Sequence, residues 1–272
     1  MKTILVPIDF TPSSQNAAEY AAEFAKYSKS KLILLHVFSV PVPVADVPIV
    51  VIPMDEVEKE NAKELKSVNK KLIHKHPGIE TETIIRAGFV VEEILLVMDE
   101  YKPDLIVMGL IGEGKSNGFF GSNATTVIKK AKCPVLTIHP DVKFKKPEKI
   151  ALACDYTATV SDEVVNKFKY FINLFDSKVL IFDVLKRAEL VSYQKAVAEV
   201  NLENSLGDME HSMYYPSGDD LQEETNNFVE KNNVDMLVMI PHNYPFFQNL
   251  FHKSATKKMA FQTKVPLLSI HE

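Results

Sequence analysis

The chain has 272 residues, 46% of them hydrophobic and 25% charged, which is typical of a folded globular protein and is long enough for two domains. Its net charge of −5 argues against a non-specific nucleic-acid binder, because there is no surplus of Lys and Arg to neutralise phosphates. Two cysteines are too few for a disulfide framework, and no apolar stretch approaches the roughly 20 residues that span a bilayer. We therefore expect a cytoplasmic protein.

Apolar runs alternate with amphipathic helical patterns along the first half of the chain. The runs are short and aliphatic, whereas the segments between them repeat apolar residues at helical spacing. Thr11 followed by Pro12 is typical of a helix start. Strands that alternate with helices in this way predict a parallel, doubly wound sheet. The predicted strands are 2–8, 32–37, 80–85, 105–108 and 135–138, and the predicted helices follow Thr11 and cover 54–76, 90–100 and 122–132.

The pattern restarts near residue 148. Residues 149–157 mirror residues 3–11, and the strand ends in an aspartate each time, Asp9 and Asp155. Further matches follow in the same order, with 178–184 answering 31–37, 235–239 answering 104–108, and 264–271 answering 132–139. Ordered matches of this kind indicate an internal duplication. The sequence therefore predicts an α/β protein of two tandem doubly wound domains, 1–140 and 148–272, each with a five-stranded parallel sheet and about four helices.

Glycine is concentrated in one loop. The chain has nine glycines, and five of them fall between Gly109 and Gly121. This loop follows the strand that ends at Met108 and leads to a helix that starts near Ser122. In open α/β sheets ligands bind beyond the carboxyl ends of the strands, and the first amides of a helix form a natural phosphate site. A loop without a ligand is the alternative reading.

Residues 109–116 also match the Walker A pattern G-x-x-x-x-G-K-[ST] at every required position. In a true P-loop the helix begins at the lysine and serine, here Lys115 and Ser116, whereas residues 117–121 are a poor helix start. The motif also follows the fourth strand of its domain and not the first. We interpret the match as coincidence, with Lys115 still available as a mobile charge near a phosphate.

These landmarks resemble the universal stress protein family. Its repeat opens with a strand that ends in aspartate, here Asp9, has a second strand with a Leu-His-Val-like run, here residues 35–37, and continues from its fourth strand into a loop of the form G-x2-G-x9-G-[ST]. The resemblance covers both halves of the chain and so indicates a tandem member. It implies an adenine-nucleotide alpha-hydrolase-like, Rossmann-like fold.

The resemblance also implies a ligand, ATP, with Mg²⁺ or Mn²⁺ as its candidate counter-ion. By position, the turn after the first strand and the end of the second would meet the adenosine, the end of the fourth strand would lie near the ribose, and the glycine loop with the start of its helix would hold the phosphates. No catalytic residue and no metal ligand is predicted. The implied binding residues are Pro7, Asp9, Val37, Met108, Gly109, Gly112, Gly121, Ser122 and Asn123.

Both repeats depart from the family pattern. Eight residues separate Gly112 from Gly121, where the family has nine, and Ala124 lacks the hydroxyl that some members carry. The second repeat has no glycine after Met239, and residues 240–254 contain two prolines and four aromatic residues. We expect that loop to be packed and free of nucleotide. The alternative is a pocket for an apolar or small anionic ligand, with Lys253 as its counter-charge.

Three functions follow from these readings. The first is an adenine-nucleotide sensor in a stress response, with a binding first domain and a degenerate second one. The second is a weak ATPase or phosphotransferase, for which Asp9 and Glu113 are the only carboxylates available near the site. The third is a nucleotide-free structural or partner-binding protein in which the glycine loop is a relic. His36 and His139, at strand ends, are interpreted as structural residues.

The last strand of each repeat, 135–138 and 265–270, is predicted to lie at a sheet edge. Family members commonly pair through this strand, so we expect the two repeats to dock as an internal pseudo-dimer. A homodimer of two chains is a further possibility that this pattern leaves open. No membrane or nucleic-acid partner is expected, and the sequence names no protein partner.

Overall fold

The computed structural model describes residues 1–39, 53–110, 122–154, 160–185, 193–240 and 264–271. Within these ranges strands and helices alternate through the first half of the chain, as the sequence predicted. The elements are β1 (Thr3–Pro7), α1 (Pro12–Ser28), β2 (Lys31–Phe38), α2 (Met54–Lys75), β3 (Thr81–Ala87), α3 (Val90–Tyr101), β4 (Leu105–Gly109), α4 (Ser122–Lys130) and β5 (Val135–Ile138).

The second half repeats this order. Its described residues contain five strands and three helices, and residues 241–263, between β9 and β10, lie outside the described ranges and do not test the predicted fourth helix. The elements are β6 (Lys149–Ala153), α5 (Asp162–Phe175), β7 (Lys178–Phe182), α6 (Tyr193–Leu206), β8 (His211–Tyr214), α7 (Leu221–Asn232), β9 (Met236–Met239) and β10 (Leu267–Ser269).

The ten strands of the described residues form one sheet, in the order β3-β2-β1-β4-β5-β10-β9-β6-β7-β8. Neighbouring strands within each half are parallel, which confirms the predicted doubly wound α/β class. The two halves meet where β10 pairs antiparallel with β5, with Leu268 opposite Leu136 and Ser269 opposite Val135. The strands that we expected to dock the repeats on each other therefore lie side by side at the centre of the sheet.

The two halves share local hydrogen bonds and helix caps as well as topology. The Asp104 carboxylate, just before β4, accepts the backbone N–H of Thr3 at 2.9 Å, and Asp235, just before β9, accepts the N–H of Lys149 at 3.0 Å. Each aspartate thus ties the start of one strand to its neighbour. The helices α1 and α5 also begin in the same way, since the side chains of their N-cap residues, Thr11 and Ser161, accept a backbone N–H three residues on.

Helices cover both faces of the first half of the sheet. Helices α1 and α2 contact each other, as do α3 and α4. The chain runs outward from β1 to β3 and then returns to the other side of β1 to form β4. Right-handed crossovers place the helices before and after this reversal on opposite faces. No helix of the described ranges is long and apolar enough to cross a membrane.

The core between the two halves is aromatic. Phe24 on α1 and Phe175 on α5 are both fully buried, and their ring centroids lie 5.1 Å apart in an edge-to-face arrangement. The segment that joins the halves contributes Phe144, whose ring contacts both. Asn16 on α1 fixes the same segment, because its side-chain amide donates to the Val142 carbonyl at 2.8 Å. The connection between β5 and β6 is therefore packed against the protein.

Candidate functional site

A cavity of about 380 Å³ opens at the carboxyl ends of the strands in the first half of the sheet. It lies where the chain reverses direction, between β1 and β4, which is the place at which open α/β sheets bind ligands. Residues from the ends of β1, β2 and β4 and from the starts of α3 and α4 form its walls. Seven of the nine residues implied by the family pattern line it, namely Pro7, Asp9, Val37, Met108, Gly109, Ser122 and Asn123.

The other two implied residues, Gly112 and Gly121, lie outside the described residues. The same holds for Lys115, which completes the Walker A pattern, and for Glu113, the second candidate carboxylate. The helix α4 contains Ser122 at its start, as the sequence predicted. The glycine-rich part of the site therefore stays a prediction.

The turn after β1 is held by its own side chains. The carboxylate Oδ1 of Asp9 accepts both the backbone N–H of Thr11, at 3.1 Å, and the Thr11 hydroxyl, at 2.5 Å. The backbone N–H of Asp9 donates in turn to the hydroxyl of Ser14 at 3.3 Å. These bonds begin α1 and place the exposed Asp9 carboxylate on the cavity wall. Among the described residues none donates to its second oxygen, Oδ2, which is available to accept a ligand donor.

Gly109 ends β4 where the strand passes the first turn of α1. A Cβ atom on this residue would lie 2.6 Å from the hydroxyl oxygen of Ser13 and 2.9 Å from the Ser13 backbone carbonyl. Only glycine fits this close approach. The sequence indicated a glycine whose backbone meets a ligand, and the structure adds a packing requirement for the same residue.

The start of α4 forms the opposite wall of the cavity. Ser122 and Asn123 are exposed there, and Ala124 is buried beneath them. The first turn of α4 carries no acidic residue, whereas α2, α3, α5 and α7 each carry two in theirs. The last turn carries Lys129 and Lys130, which complement the negative end of the helix. An anion beyond Ser122 would therefore meet helix amides with no competing carboxylate on that turn.

The remaining wall is largely apolar, and the sequence analysis did not assign it to the site. Periodicity marked Val90 and Ile94 as part of a helix, but it could not show that α3 reaches the cavity, because that depends on strand order. The strand order β3-β2-β1-β4 locates the point at which the chain reverses its direction across the sheet. Knowledge of this order would have shown that α3 lies at the cavity. The additional lining residues are Ile8, Ser14, Leu35, His36, Phe38, Ser39, Val90, Ile94 and Ala124.

The two thiols are not part of the site. Cys133 is half-buried just before β5, and its burial raises the pKa of the thiol to about 12. Cys154 is buried just after β6. A thiol with such a pKa stays protonated at neutral pH, so Cys133 is not a reactive nucleophile. Within the described ranges there is also no group of three His, Cys, Asp or Glu side chains that could hold a metal ion.

The sequence model of the universal stress protein family matches residues 1–139, about half of the chain. The chain belongs to the universal stress protein family. The matched residues contain β1 to β5 and the whole cavity. The family match therefore falls on the half of the protein that contains the candidate site.

Two relatives support the assignment of this universal stress protein. Universal stress protein Sll1654 of Synechocystis sp. is 37% identical over 138 residues, which cover 50% of this chain and 85% of the relative. Universal stress protein MJ0531 of Methanocaldococcus jannaschii is 32% identical over 156 residues, which cover 54% of this chain and 84% of the relative.

Solved structures resemble this chain over its whole length, and one of them serves as an example. A universal stress protein from Archaeoglobus fulgidus superposes with a TM-score of 0.73 and covers 99% of this chain and 98% of its own, at 20% sequence identity. At that identity the likeness concerns the fold. The two-half architecture of the present protein is thus shared by another chain of similar length.

Proposed function

We propose that this universal stress protein binds ATP in the cavity of its first half and acts as an adenine-nucleotide sensor in a stress response. The observation that supports the proposal is that residues distant from one another in the sequence meet at one cavity. Seven residues that are spread over 117 positions of the sequence, from Pro7 to Asn123, line one cavity at the reversal point of the sheet. Such a site joins an apolar wall to a few polar groups, as small-molecule sites do.

The cavity suggests how the nucleotide lies. The phosphates belong at the start of α4, where Ser122 and Asn123 meet the positive end of the helix dipole. The nucleoside belongs at the other end, near Asp9 and Val37. On the family pattern, Gly112 and Gly121 would complete the phosphate cradle. Mg²⁺ or Mn²⁺ would then enter with the triphosphate as its counter-ion.

We further propose that the second half binds no nucleotide. His36 lies five residues after the start of β2, and Asp183 lies five residues after the start of β7, so the two occupy equivalent positions in the two halves. Asp183 is only 5% exposed. The first half has a histidine of the cavity wall at this place, so the two halves differ in the chemistry of the equivalent position. The absence of glycine from residues 240–254 points the same way.

The test places a negative charge at the phosphate end. Asn123 is exposed, so Asn123→Asp changes little but its charge, and a carboxylate at a helix start stabilises the free protein slightly. The same carboxylate repels phosphate, and we expect affinity for ATP to fall about tenfold or more, or about 1.4 kcal/mol. Titration calorimetry with ATP and Mg²⁺ measures the affinity. Thermal unfolding followed by circular dichroism shows whether ATP stabilises each protein.

The matched control is Asn227→Asp, which makes the same charge change on an exposed residue of α7 in the second half. ATP at a hundredfold excess over its dissociation constant stabilises a binding protein by about 2.7 kcal/mol. We expect this gain in the parent and in the Asn227→Asp protein. No heat of binding and no thermal shift in the folded parent would refute the proposal.

A further inference from the structure

His36 is buried at the end of β2 and reaches back to the turn after β1. The residue is 7% exposed, and its ring nitrogen Nδ1 lies 2.7 Å from the backbone carbonyl oxygen of Ile8. A carbonyl oxygen can only accept a hydrogen bond, so Nδ1 must carry the proton. In the neutral imidazole the second nitrogen, Nε2, is then an acceptor with a free lone pair.

The neighbouring turn fixes the plane of this ring. Phe10 stacks on His36 with 4.2 Å between ring centroids and 29° between ring planes. Phe10 itself has a φ of 62°, in the left-handed region that a bulky residue seldom adopts. Strain of this kind persists where the surroundings hold it, and it is typical of binding sites. A 180° turn of the ring about its Cβ–Cγ bond would put Cδ2 in the place of Nδ1 and break the bond to Ile8.

Nε2 is the ring nitrogen of His36 that remains available to the cavity, because His36 lines the cavity and Nδ1 is bound to Ile8. The ring forms part of the cavity wall, and no residue of the described ranges donates a hydrogen bond to Nε2. Nε2 is not among the fully buried atoms that lack a partner, so a ligand or water in the cavity can reach it and supply the donor. The cavity therefore offers a fixed acceptor in its wall.

Strand spacing shows which end of the ligand this acceptor meets. In the order β2-β1-β4, β2 lies two strands from β4, about 10 Å away at 4.8 Å per strand. The phosphate end of the proposed ligand lies beyond β4, at the start of α4. Phosphate oxygens and the Nε2 of a neutral imidazole are both acceptors and would not bind each other. The partner of Nε2 is therefore a donor on the nucleoside.

We propose that Nε2 of His36 accepts a hydrogen bond from a donor of the bound nucleoside, either a ribose hydroxyl or the adenine amine. The inference rests on the proposed binding of ATP and adds a residue that selects the ligand. It also revises the interpretation of His36 as a structural residue. In this proposal Nδ1 donates to the Ile8 carbonyl in the turn after β1, and Nε2 accepts the hydrogen bond from the nucleoside.

The experiment separates these two roles of the ring. In His36→Asn the side-chain amide still donates to the Ile8 carbonyl from the place of Nδ1, but no atom occupies the place of Nε2. Titration calorimetry compares the parent and this variant with ATP, 2′-deoxy-ATP, 3′-deoxy-ATP and purine riboside triphosphate, which lacks the amine. We expect the variant to bind ATP about five- to tenfold more weakly, the loss of one hydrogen bond.

The analogues identify the partner. The analogue that lacks the donor should bind the parent as weakly as the variant binds ATP, and it should lose nothing further in the variant. Equal affinity of parent and variant for ATP, or an equal loss for every ligand, would overturn the role of His36 and leave ATP binding standing. No binding of ATP by the folded parent would overturn the proposed function itself. If the variant does not fold, three analogues that bind the parent as well as ATP does would overturn the inference.

Discussion

At the scale of single residues, the C-terminal end of α2 is tied to α1 through a buried histidine. His76 is 3% exposed, its Nε2 lies 2.6 Å from the Glu19 carboxylate, and its Nδ1 lies 2.7 Å from Glu23. Lys75 contacts Glu19 as well, at 2.8 Å. Partial burial acts to raise the pKa of Glu19, but the bonds from His76 and Lys75 outweigh it and leave that pKa below its ordinary value.

A lowered pKa in the folded state makes stability depend on pH. The contribution of the Glu19 carboxylate is complete above its unfolded pKa, near 4.5, and is lost as the pH falls through the lower folded value. We expect Glu19→Gln to lower the free energy of unfolding by about 1 kcal/mol at pH 7, a modest value because Glu19 is partly exposed. At about pH 3 the variant and the parent should differ little.

Urea unfolding at both pH values, followed by circular dichroism, measures this difference. Glu58→Gln is the matched control, because Glu58 is an exposed residue of α2 with no ion pair among the described residues. It should change stability little at either pH. A loss from Glu19→Gln that is the same at pH 7 and pH 3 would show that the carboxylate charge is not what matters.

At the scale of secondary structure, α4 is the element that joins the site to the second half. Its first residues line the cavity, and the carbonyl of Ile128 in its last turn accepts a hydrogen bond from Nε2 of His271, just after β10. The backbone carbonyl of His271 accepts in turn from Lys167 on α5, at 3.0 Å. The end of the second half thus holds the helix on which the phosphates are proposed to lie.

We expect His271→Ala to loosen α4. The substitution removes a donor from the Ile128 carbonyl in a buried place and should cost about 1–3 kcal/mol of stability. Hydrogen exchange read by mass spectrometry should show faster exchange in peptides of α4. His211→Ala, which alters a histidine at the start of β8 in the outer part of the sheet, should leave the exchange of α4 unchanged. Equal exchange of α4 in all three proteins would contradict this link.

The sequence predicted the elements of the first half well for a physical reason. Its aliphatic strands end at residues that stop a strand, such as Asp9, and helices such as α1 begin at a capping residue, so both ends are marked locally. The predicted ends of the strands, together with the family pattern, also identified the cavity residues that lie at those ends. Val90 and Ile94 were missed as site residues, and His36 was taken as structural, because strand order and a tautomer are set by contacts distant in sequence.

At the scale of the whole molecule, the two halves unfold as one unit only if the surface between them is strong. Phe175 is fully buried there, with its ring 5.1 Å from Phe24 and 5.8 Å from Tyr27. The spacing of apolar residues in the sequence could identify these aromatic residues as apolar positions of helices. It could not show that α1 contacts α5. The pairing depends on β5 and β10 lying side by side, which brings the two helices together.

We expect Phe175→Ala to cost about 3–5 kcal/mol and to separate the unfolding of the two halves into two transitions. Phe168→Ala is the control, because Phe168 is as deeply buried in the same helix but belongs to none of the described ring pairs between halves. It should cost a similar amount and keep a single transition. Calorimetry with circular dichroism measures both, and a single transition in Phe175→Ala would show that the strand pairing alone keeps the halves together.

The antiparallel pairing of β5 with β10 determines at which side of the molecule the strands of each half end. Because the strands of one half run opposite to those of the other, their carboxyl ends emerge at opposite poles of the molecule. A protein that docks over the cavity of the first half therefore sits far from the corresponding loops of the second. The two poles therefore present different surfaces, and the nucleotide proposed to bind at one pole could affect the other pole only through the protein between them.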